Sequence, residues 1–324
     1  MCQNKNTLTR RKCLWLATAV LGRRLPASFA NTTLPASQPA KGMTLGFSTY
    51  GSGQMPWAQA LGHIAKAGYD SAELAILPDR DTAPENLSSS QRRDLRGTLA
   101  RHNLALTSLL ADFKETADEK THRDNFERLK HAMDLAHALS PNKPPLIQTV
   151  LGGGTWSNVK SKLRDRLGQW VTLAASTRTL IAIKPHRGHA MSRPADAIWL
   201  FKQLNRSPWL RMVFDYSHFD GRNMPLEQTV RDSLPWTAHV AVKDVEFEKN
   251  GRCRFVLPGE SGRIDYAKML KLFQAGGYKG DVCVEISRMI WGQENYNAAA
   301  AMKKCYSTMN AAFSRAHVSR SQHR

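Results

Sequence analysis

The chain has 324 residues, 42% of them hydrophobic, which is enough to bury the core of one large α/β domain. Its formal net charge of +19 would suit a nucleic acid or an anionic surface as partner. The basic residues are scattered, however, without an arginine-rich tail or a dense basic run interleaved with aromatic residues, so we do not expect nucleic-acid binding. Cys253, Cys283 and Cys305 are too widely spaced for a CxxC metal knuckle or a disulfide framework. One disulfide bond between two of them is still compatible with the sequence.

Residues 1–30 have the organisation of an export signal. The basic stretch 9–12 (TRRK) precedes an apolar run over 13–22, and a small-residue cleavage site of the type Ser28-Phe29-Ala30 follows. The paired arginines resemble a twin-arginine signal, and the apolar run is shorter than the roughly 20 residues that span a bilayer. We therefore expect an exported, periplasmic protein with no stable membrane span and a linker over 31–42. If the segment is merely a basic, disordered start, the protein is cytoplasmic.

From Met43 onward, short stretches with the two-residue period of strands alternate with amphipathic helical stretches. The predicted strands lie near 43–48, 70–76, 104–110, 145–151, 180–184, 209–215, 237–243 and 281–287. Eight strand–helix units in succession predict a closed, parallel (β/α)8 TIM barrel over residues 43–315. A basic tail follows over 316–324. No GxGxxG follows the first strand, so no nucleotide cofactor is expected.

Alternation within four strands places charged side chains on the inner face. The apolar residues should pack against the helices, so Lys184, Asp215, Lys243 and Glu285 should point into the barrel. Each lies near the carboxyl end of its strand, where the active sites of such barrels form. Because buried charges need partners, the cluster is either an active site or a structural lysine–carboxylate network.

Three further residues are candidate substrate-binding groups. Glu73 ends the second strand, and His186 lies in the loop 185–189 (PHRGH) after the fifth. Trp156 follows the glycines at 152–154 and could stack on a sugar ring. The alternatives are a packing role for Trp156 and a solvated loop position for His186.

Five segments in chain order resemble one known family. They are 68–74 (GYDSAEL), 214–218 (FDYSH), 239–244 (HVAVKD), 257–266 (LPGESGRIDY) and 277–280 (GYKG), the last leading into Val284-Glu285. The sequence is similar to the xylose-isomerase-like TIM barrels, which include sugar isomerases and epimerases and a nuclease branch related to AP endonuclease 2. The resemblance implies a small-molecule sugar or cyclitol as ligand. The nuclease branch needs a richer set of metal ligands than this chain offers.

The resemblance also implies a divalent metal site, which this chain alters. Family members hold one cation with a Glu on strand five, an Asp on strand six, a His on strand seven and a Glu on strand eight. Asp215 and Glu285 match as metal ligands, but Lys184 and Ala241 stand at the other two positions. An ammonium cannot bind a cation, so metal binding is in doubt, and Lys184 could supply the positive charge itself.

Other roles follow from the same resemblance. Glu285 is the expected general base, with Lys184 as the other catalytic residue, and His218 is expected to contact substrate. Lys243 is a further substrate-binding candidate. His239, one inward layer below Ala241, is expected to hydrogen-bond within the barrel.

The expected function is that of a sugar isomerase or epimerase, acting on a non-phosphorylated sugar, keto-sugar or cyclitol by proton abstraction next to a carbonyl. Two alternatives stay open: a sugar-binding barrel with reduced catalysis, and a keto-glycoside lyase or hydrolase on the same scaffold.

Overall fold

The computed structural model describes residues 42–321 and contains a barrel of eight parallel strands. The strands β1 to β7 are Thr44–Ser48, Ser71–Ala75, Ala105–Leu110, Leu146–Val150, Ile181–Lys184, Leu210–Phe214 and Thr237–Val242. A hairpin of β8 (Asp244–Phe247) and β9 (Cys253–Val256) precedes the last barrel strand, β10 (Asp281–Val284). Because β10 pairs with both β7 and β1, the sheet closes on itself. The predicted parallel (β/α)8 barrel is confirmed.

Helices follow the barrel strands and surround them. Helices α1 to α9 are Trp57–Ala67, Ser89–Arg101, Glu119–Leu139, Trp156–Thr177, Pro194–Gln203, Leu226–Ser233, Tyr266–Ala275, Arg288–Trp291 and Ala298–Ala316. Local sequence fixes several of their ends. Ser88 and Gln91 form a capping box at the start of α2. At the end of α1, Gly68 has φ +102°, and a Cβ there would lie 2.8 Å from the Tyr306 ring, so glycine is required.

The main core lies between the outer face of the barrel and the helices. Ile181, Ile183, Val282 and Val284 point outward into it and are fully buried. The same alternation turns the intervening side chains into the barrel, where polar residues are held by hydrogen bonds. At the amino-terminal end, for example, Asp281 accepts hydrogen bonds from hydroxyl groups on three neighbouring strands. The barrel interior is therefore polar at its amino-terminal end.

The predicted basic tail packs against the barrel as far as the structure describes it. The guanidinium of Arg320 donates to both carboxylate oxygens of Asp70, at 2.9 and 2.7 Å, and to the carbonyl of Gly68 at 2.7 Å. Val318 is buried. Residues 317–321 are thus part of the folded domain, because the Arg320 side chain has partners in the turn before β2 and on α9.

The β8–β9 hairpin is an element that the strand pattern did not predict. Its strands are antiparallel, and Gly251 at its turn has φ +80°, a conformation that favours glycine. The loop after it is fixed by Asp244, whose carboxylate accepts from the backbone N–H groups of Gly259 and Ser261. The hairpin brings Phe255 against the inward charged residues at the carboxyl end of the barrel.

The predicted export signal (1–30) and all but the last residue of the predicted linker (31–42) lie outside the described residues. Within 42–321, none of the helices combines the length and apolar character needed to cross a membrane.

Candidate active site

Four charged side chains meet inside the carboxyl end of the barrel. Lys184 ends β5, Asp215 follows β6, Lys243 follows β7 and Glu285 follows β10. Lys243 Nζ lies 2.6 Å from Glu285 Oε1 and 3.2 Å from Asp215 Oδ2. Lys184 donates to the other carboxylate oxygen of Glu285, and its Nζ lies 3.7 Å from Asp215 Oδ2. All four are at most 5% exposed, so the structure places the predicted inward charges in one buried cluster.

The charges in this cluster balance, two against two. Burial alone would raise the pKa of Glu285, but the ammonium groups of Lys184 and Lys243 outweigh it and lower that pKa. Burial alone would likewise lower the pKa of Lys243, but Asp215 and Glu285 reverse the effect and raise it. The electrostatics therefore keep Glu285 ionised and Lys243 protonated at neutral pH.

The residues present do not fit the cation that the family resemblance implies. Asp215 and Glu285 lie where that metal's carboxylate ligands belong, but both are already ion-paired with ammonium groups. Ala241 contributes only a buried methyl group at the expected histidine position. A cation between the two carboxylates would meet Lys184 and Lys243 at close range, where like charges repel strongly. The two carboxylates therefore have ammonium partners in this structure.

Three histidine rings stack beside the charged cluster. The centroid of the His186 ring lies 4.3 Å from that of His189 and 4.0 Å from that of His218. Nδ1 of His186 lies 2.7 Å from the carbonyl oxygen of Arg187, and Nδ1 of His189 lies 2.6 Å from that of Leu151. A carbonyl only accepts, so each ring donates through Nδ1. Burial first, and then the charge of nearby Lys243, lower the pKa of His186 to about 2, which leaves its Nε2 as a hydrogen-bond acceptor.

His218 lies behind His186 rather than at the cavity surface. It is fully buried, and its Nδ1 accepts from the backbone N–H of Arg187 at 3.3 Å. The ring packs edge-on against Phe255, with centroids 5.3 Å apart, and its Nε2 lies 3.5 Å from Asp215 Oδ2. The structure thus gives the predicted substrate-contacting residue a positioning role: it supports the loop that carries His186.

A cavity of about 230 Å³ opens above Lys184 and Glu285. Its other polar lining residues are Tyr50, Asp112, Lys114, Gln148, Thr149, His186 and His189. Lys114 is paired with Asp112 at 2.8 Å, so the charges at the rim also balance. The cavity has the size and polarity for a small, hydroxyl-rich molecule.

Glu73 lies one layer deeper than the charged cluster and is fully buried. Its Oε2 accepts from Ser108 at 2.6 Å and from the side-chain amide of Gln148. Burial, followed by the charge of Glu285, raises the pKa of Glu73 to about 7. Glu73 is not among the residues that line the cavity, but it accepts a hydrogen bond from Gln148, which is. His239, expected to hydrogen-bond within the barrel, has no hydrogen-bond partner for either ring nitrogen among the residues described.

Trp156 lies away from the cavity. It begins α4 and packs edge-on against Trp199 of α5, with ring centroids 5.7 Å apart. Of the two roles considered from the sequence, the structure supports helix packing.

Six polar residues of the cavity lining were not predicted from the sequence: Tyr50, Asp112, Lys114, Gln148, Thr149 and His189. Tyr50 and Asp112 each come two residues after the end of a barrel strand. In (β/α)8 barrels the loops at this position form the active site, so that spacing was an available signal. Tyr50 is held by Trp291, whose ring is perpendicular to it at 5.3 Å.

Solved structures with the same fold support the barrel assignment. An IOLI protein with a bound zinc atom is 20% identical, with a TM-score of 0.68 over 84% of this chain and 99% of that chain. A xylose isomerase-like TIM barrel protein from Mycobacterium smegmatis, in complex with magnesium, is 15% identical, with a TM-score of 0.65 over 86% of this chain and 100% of that chain. The 3-keto-D-glucoside 4-epimerase from E. coli is also 15% identical, with a TM-score of 0.62 over 83% of this chain and 99% of that chain.

A comparison with curated protein sequences found no match. The sequence profile described as xylose isomerase-like TIM barrel matches residues 61–307, which is most of the barrel. Together with the closed eight-stranded barrel, this match shows that the chain belongs to the xylose isomerase-like TIM barrel family.

Proposed function

We propose that this protein is an enzyme that isomerises or epimerises an unphosphorylated sugar, keto-sugar or cyclitol by removing a proton next to a carbonyl. The observation that carries the proposal is the pair of ammonium groups, Lys184 and Lys243, bound to the carboxylates of Asp215 and Glu285 beneath the cavity. In this arrangement the lysines supply the positive charge that a cation supplies in related proteins.

The proposed step moves one proton and one negative charge. Glu285 takes the proton from the carbon next to the carbonyl, and the electron pair of that C–H bond becomes an enolate on the carbonyl oxygen. Lys184, which lines the cavity beside Glu285, then pairs with the enolate instead of the carboxylate. The net charge of the site does not change, so the lysines that weaken Glu285 as a base also stabilise the product of its action. Protonation of the same carbon on its other face gives an epimer. An isomer forms when the hydroxyl proton of that carbon moves to the enolate oxygen and the former carbonyl carbon takes the proton back from Glu285, so that the carbonyl now lies on the carbon that was deprotonated.

The polar lining supports an uncharged, hydroxylated substrate. Nε2 of His186 is an acceptor for a substrate hydroxyl, and Tyr50 and Asp112 add polar groups at the rim. The cavity lysines Lys114 and Lys184 are each paired with a carboxylate, so a phosphate group would have to break an existing ion pair to bind. The 3-keto-D-glucoside 4-epimerase among the similar folds is consistent with a keto-sugar substrate. Export to the periplasm, which we propose from residues 1–30, also favours an unphosphorylated substrate.

One observation favours a second candidate, a protein that binds a sugar without turnover. Both carboxylate oxygens of Glu285 accept hydrogen bonds from ammonium groups, which makes proton abstraction harder. If these hydrogen bonds lower the basicity of Glu285 too far, the site binds the sugar but does not remove its proton. Elimination from a keto-glycoside shares the first step of the enzymatic proposal and would differ only in loss of a leaving group from the next carbon.

The test is exchange of substrate hydrogen with solvent. The protein is incubated in D2O with ketoses, inososes and 3-keto-glycosides, and deuterium at the carbon next to the carbonyl is followed by NMR. We expect exchange with at least one compound, with the rate unchanged when Mg²⁺ or Mn²⁺ is added. Glu285→Gln should abolish exchange, whereas Lys268→Met, a surface lysine on α7 paired with Glu227, should not change it. Thermal stabilisation by a sugar with no exchange would favour the binding protein, and an unsaturated product would identify a lyase.

A further inference from the structure

A second group of chemically reactive side chains lies below the lysine–carboxylate cluster. Glu73 on β2, His239 on β7 and Cys283 on β10 point to the barrel axis, and one ligand atom from each lies within 4.8 Å of the others. Their exposed fractions are 0%, 1% and 1%. Cys283 is two residues before Glu285 on the same strand, so this group is one inward layer deeper than the proposed active site.

The polar atoms of this group lack partners. Both ring nitrogens of His239 and the Oε1 atom of Glu73 are buried without a hydrogen bond in the described part of the chain. Nε2 of His239 lies 3.4 Å from Oε2 of Glu73. That oxygen already accepts hydrogen bonds from Ser108 and Gln148. Since buried polar groups are almost always paired, the unpaired atoms of Glu73 and His239 indicate a missing partner.

The three ligand types point to a particular partner. A carboxylate, an imidazole and a thiolate together are a typical zinc-binding set, and the thiolate disfavours magnesium and calcium. A carboxylate and a thiolate carry two negative charges, which one divalent cation neutralises, so the filled site would be uncharged and suited to burial. Lys184 lies nearby, but its charge is compensated by Glu285.

We propose that Glu73, His239 and Cys283 bind one Zn²⁺ inside the barrel, one layer below the position of the family's usual cation. Zinc bonds of about 2.0–2.3 Å place ligand atoms roughly 3.3–3.8 Å apart in a tetrahedron, so the side chains need to close by only about 1 Å. Gln148 offers a further ligand, because its Oε1 atom is buried and has no hydrogen-bond partner among residues 42–321. Since the site is closed to solvent, the ion would enter while the chain folds.

The experiment measures metal in the full chain. The protein is refolded with Zn²⁺ or Co²⁺, free metal is removed, and bound metal is measured by mass spectrometry. We expect one equivalent of either metal and, for the cobalt form, the near-ultraviolet charge-transfer band of a thiolate–cobalt bond. Cys283→Ser should remove that band, and Cys305→Ser, at an equally buried cysteine of α9 outside the group, should keep it. His239→Asn should lower bound metal at least tenfold.

Two results would overturn the proposal. The first is folded wild-type protein that retains less than a tenth of an equivalent of metal, or a cobalt form without the thiolate band. The second is metal that is lost in Asp215→Asn but kept in Cys283→Ser, because that pattern places the ion in the upper cluster. The wild-type cobalt spectrum decides the question even if a variant fails to fold. Solvent exchange of the substrate is measured separately, so failure of this site and failure of the proposed activity are distinguishable.

Discussion

Nζ of Lys243 lies 2.6 Å from Oε1 of Glu285, across two neighbouring strands of the barrel. The same ammonium lies 3.2 Å from Asp215 Oδ2, so Lys243 joins the two carboxylates. Removing it leaves the two carboxylates with Lys184 as their one ammonium partner among residues 42–321.

Lys243→Met should therefore destabilise the fold by about 3 kcal/mol, because it leaves a buried carboxylate without its counter-charge. Glu285→Gln in the same background should recover part of the loss, since it removes the uncompensated charge. Urea unfolding of the single and double variants measures both effects. If the change in the free energy of unfolding of the double variant equals the sum for the two single variants, the side chains are not energetically coupled. The ion pair would then be weaker than its geometry indicates.

Lys184→Met should act on catalysis more than on substrate binding. The Lys184 ammonium lines the cavity, where the proposed enolate forms, so its loss removes stabilisation of the transition state. We expect kcat for solvent exchange to fall roughly 100-fold to 1,000-fold, as for loss of one oxyanion-stabilising group. Lys184→Arg should restore part of the rate because it keeps the charge. An equal fall with Lys268→Met would show that the assay reports general damage to the protein.

Lys184→Glu should create a cation site that the natural chain lacks at this position. The change places three carboxylates, at positions 184, 215 and 285, around Lys243 and reverses the charge that repels a cation. We expect Mn²⁺ binding, measured by electron paramagnetic resonance, to strengthen at least tenfold over that of Lys184→Met. Equal binding by the two variants would mean that Lys243 alone is enough to exclude the ion.

The sequence predicted the barrel and its inward charges because both depend on local periodicity. Strand alternation at positions 181–184 and 281–284 decides which side chains enter the barrel, and the ends of the strands decide their depth. The position of Lys243 between Asp215 and Glu285 was not predicted. Distances across the barrel depend on the register and tilt of neighbouring strands. Those features are not encoded in any one segment.

The loops were predicted less well, for different reasons. Asn250-Gly251 between alternating apolar residues is a hairpin signal, so β8 and β9 could have been found. The stack of His186, His189 and His218 could not, because it depends on loop conformations fixed by backbone hydrogen bonds. The role of Trp156 was ambiguous because a side chain in the first turn of a helix after a barrel strand can face either the cavity or the next helix.

His186 should make the protein less stable in acid. Its pKa is about 2 in the folded protein against an ordinary value of 6.5, so below pH 6.5 the unfolded chain binds a proton that the folded protein does not. His186 therefore does not destabilise the folded protein above pH 6.5. As the pH falls towards 2, the destabilisation grows by at most about 1.4 kcal/mol per pH unit. The free energy of unfolding, measured in urea at pH 7 and pH 5, should fall less for His186→Gln than for the wild type, by about 1–2 kcal/mol. The comparison uses the change with pH, which is independent of any packing lost at pH 7. His239 contributes equally to both proteins because His186 is not among the causes that lower its pKa. Equal pH dependence in the two proteins would show that His186 takes up a proton in the folded state, in which case its Nε2 would not be free to accept a substrate hydroxyl at acid pH.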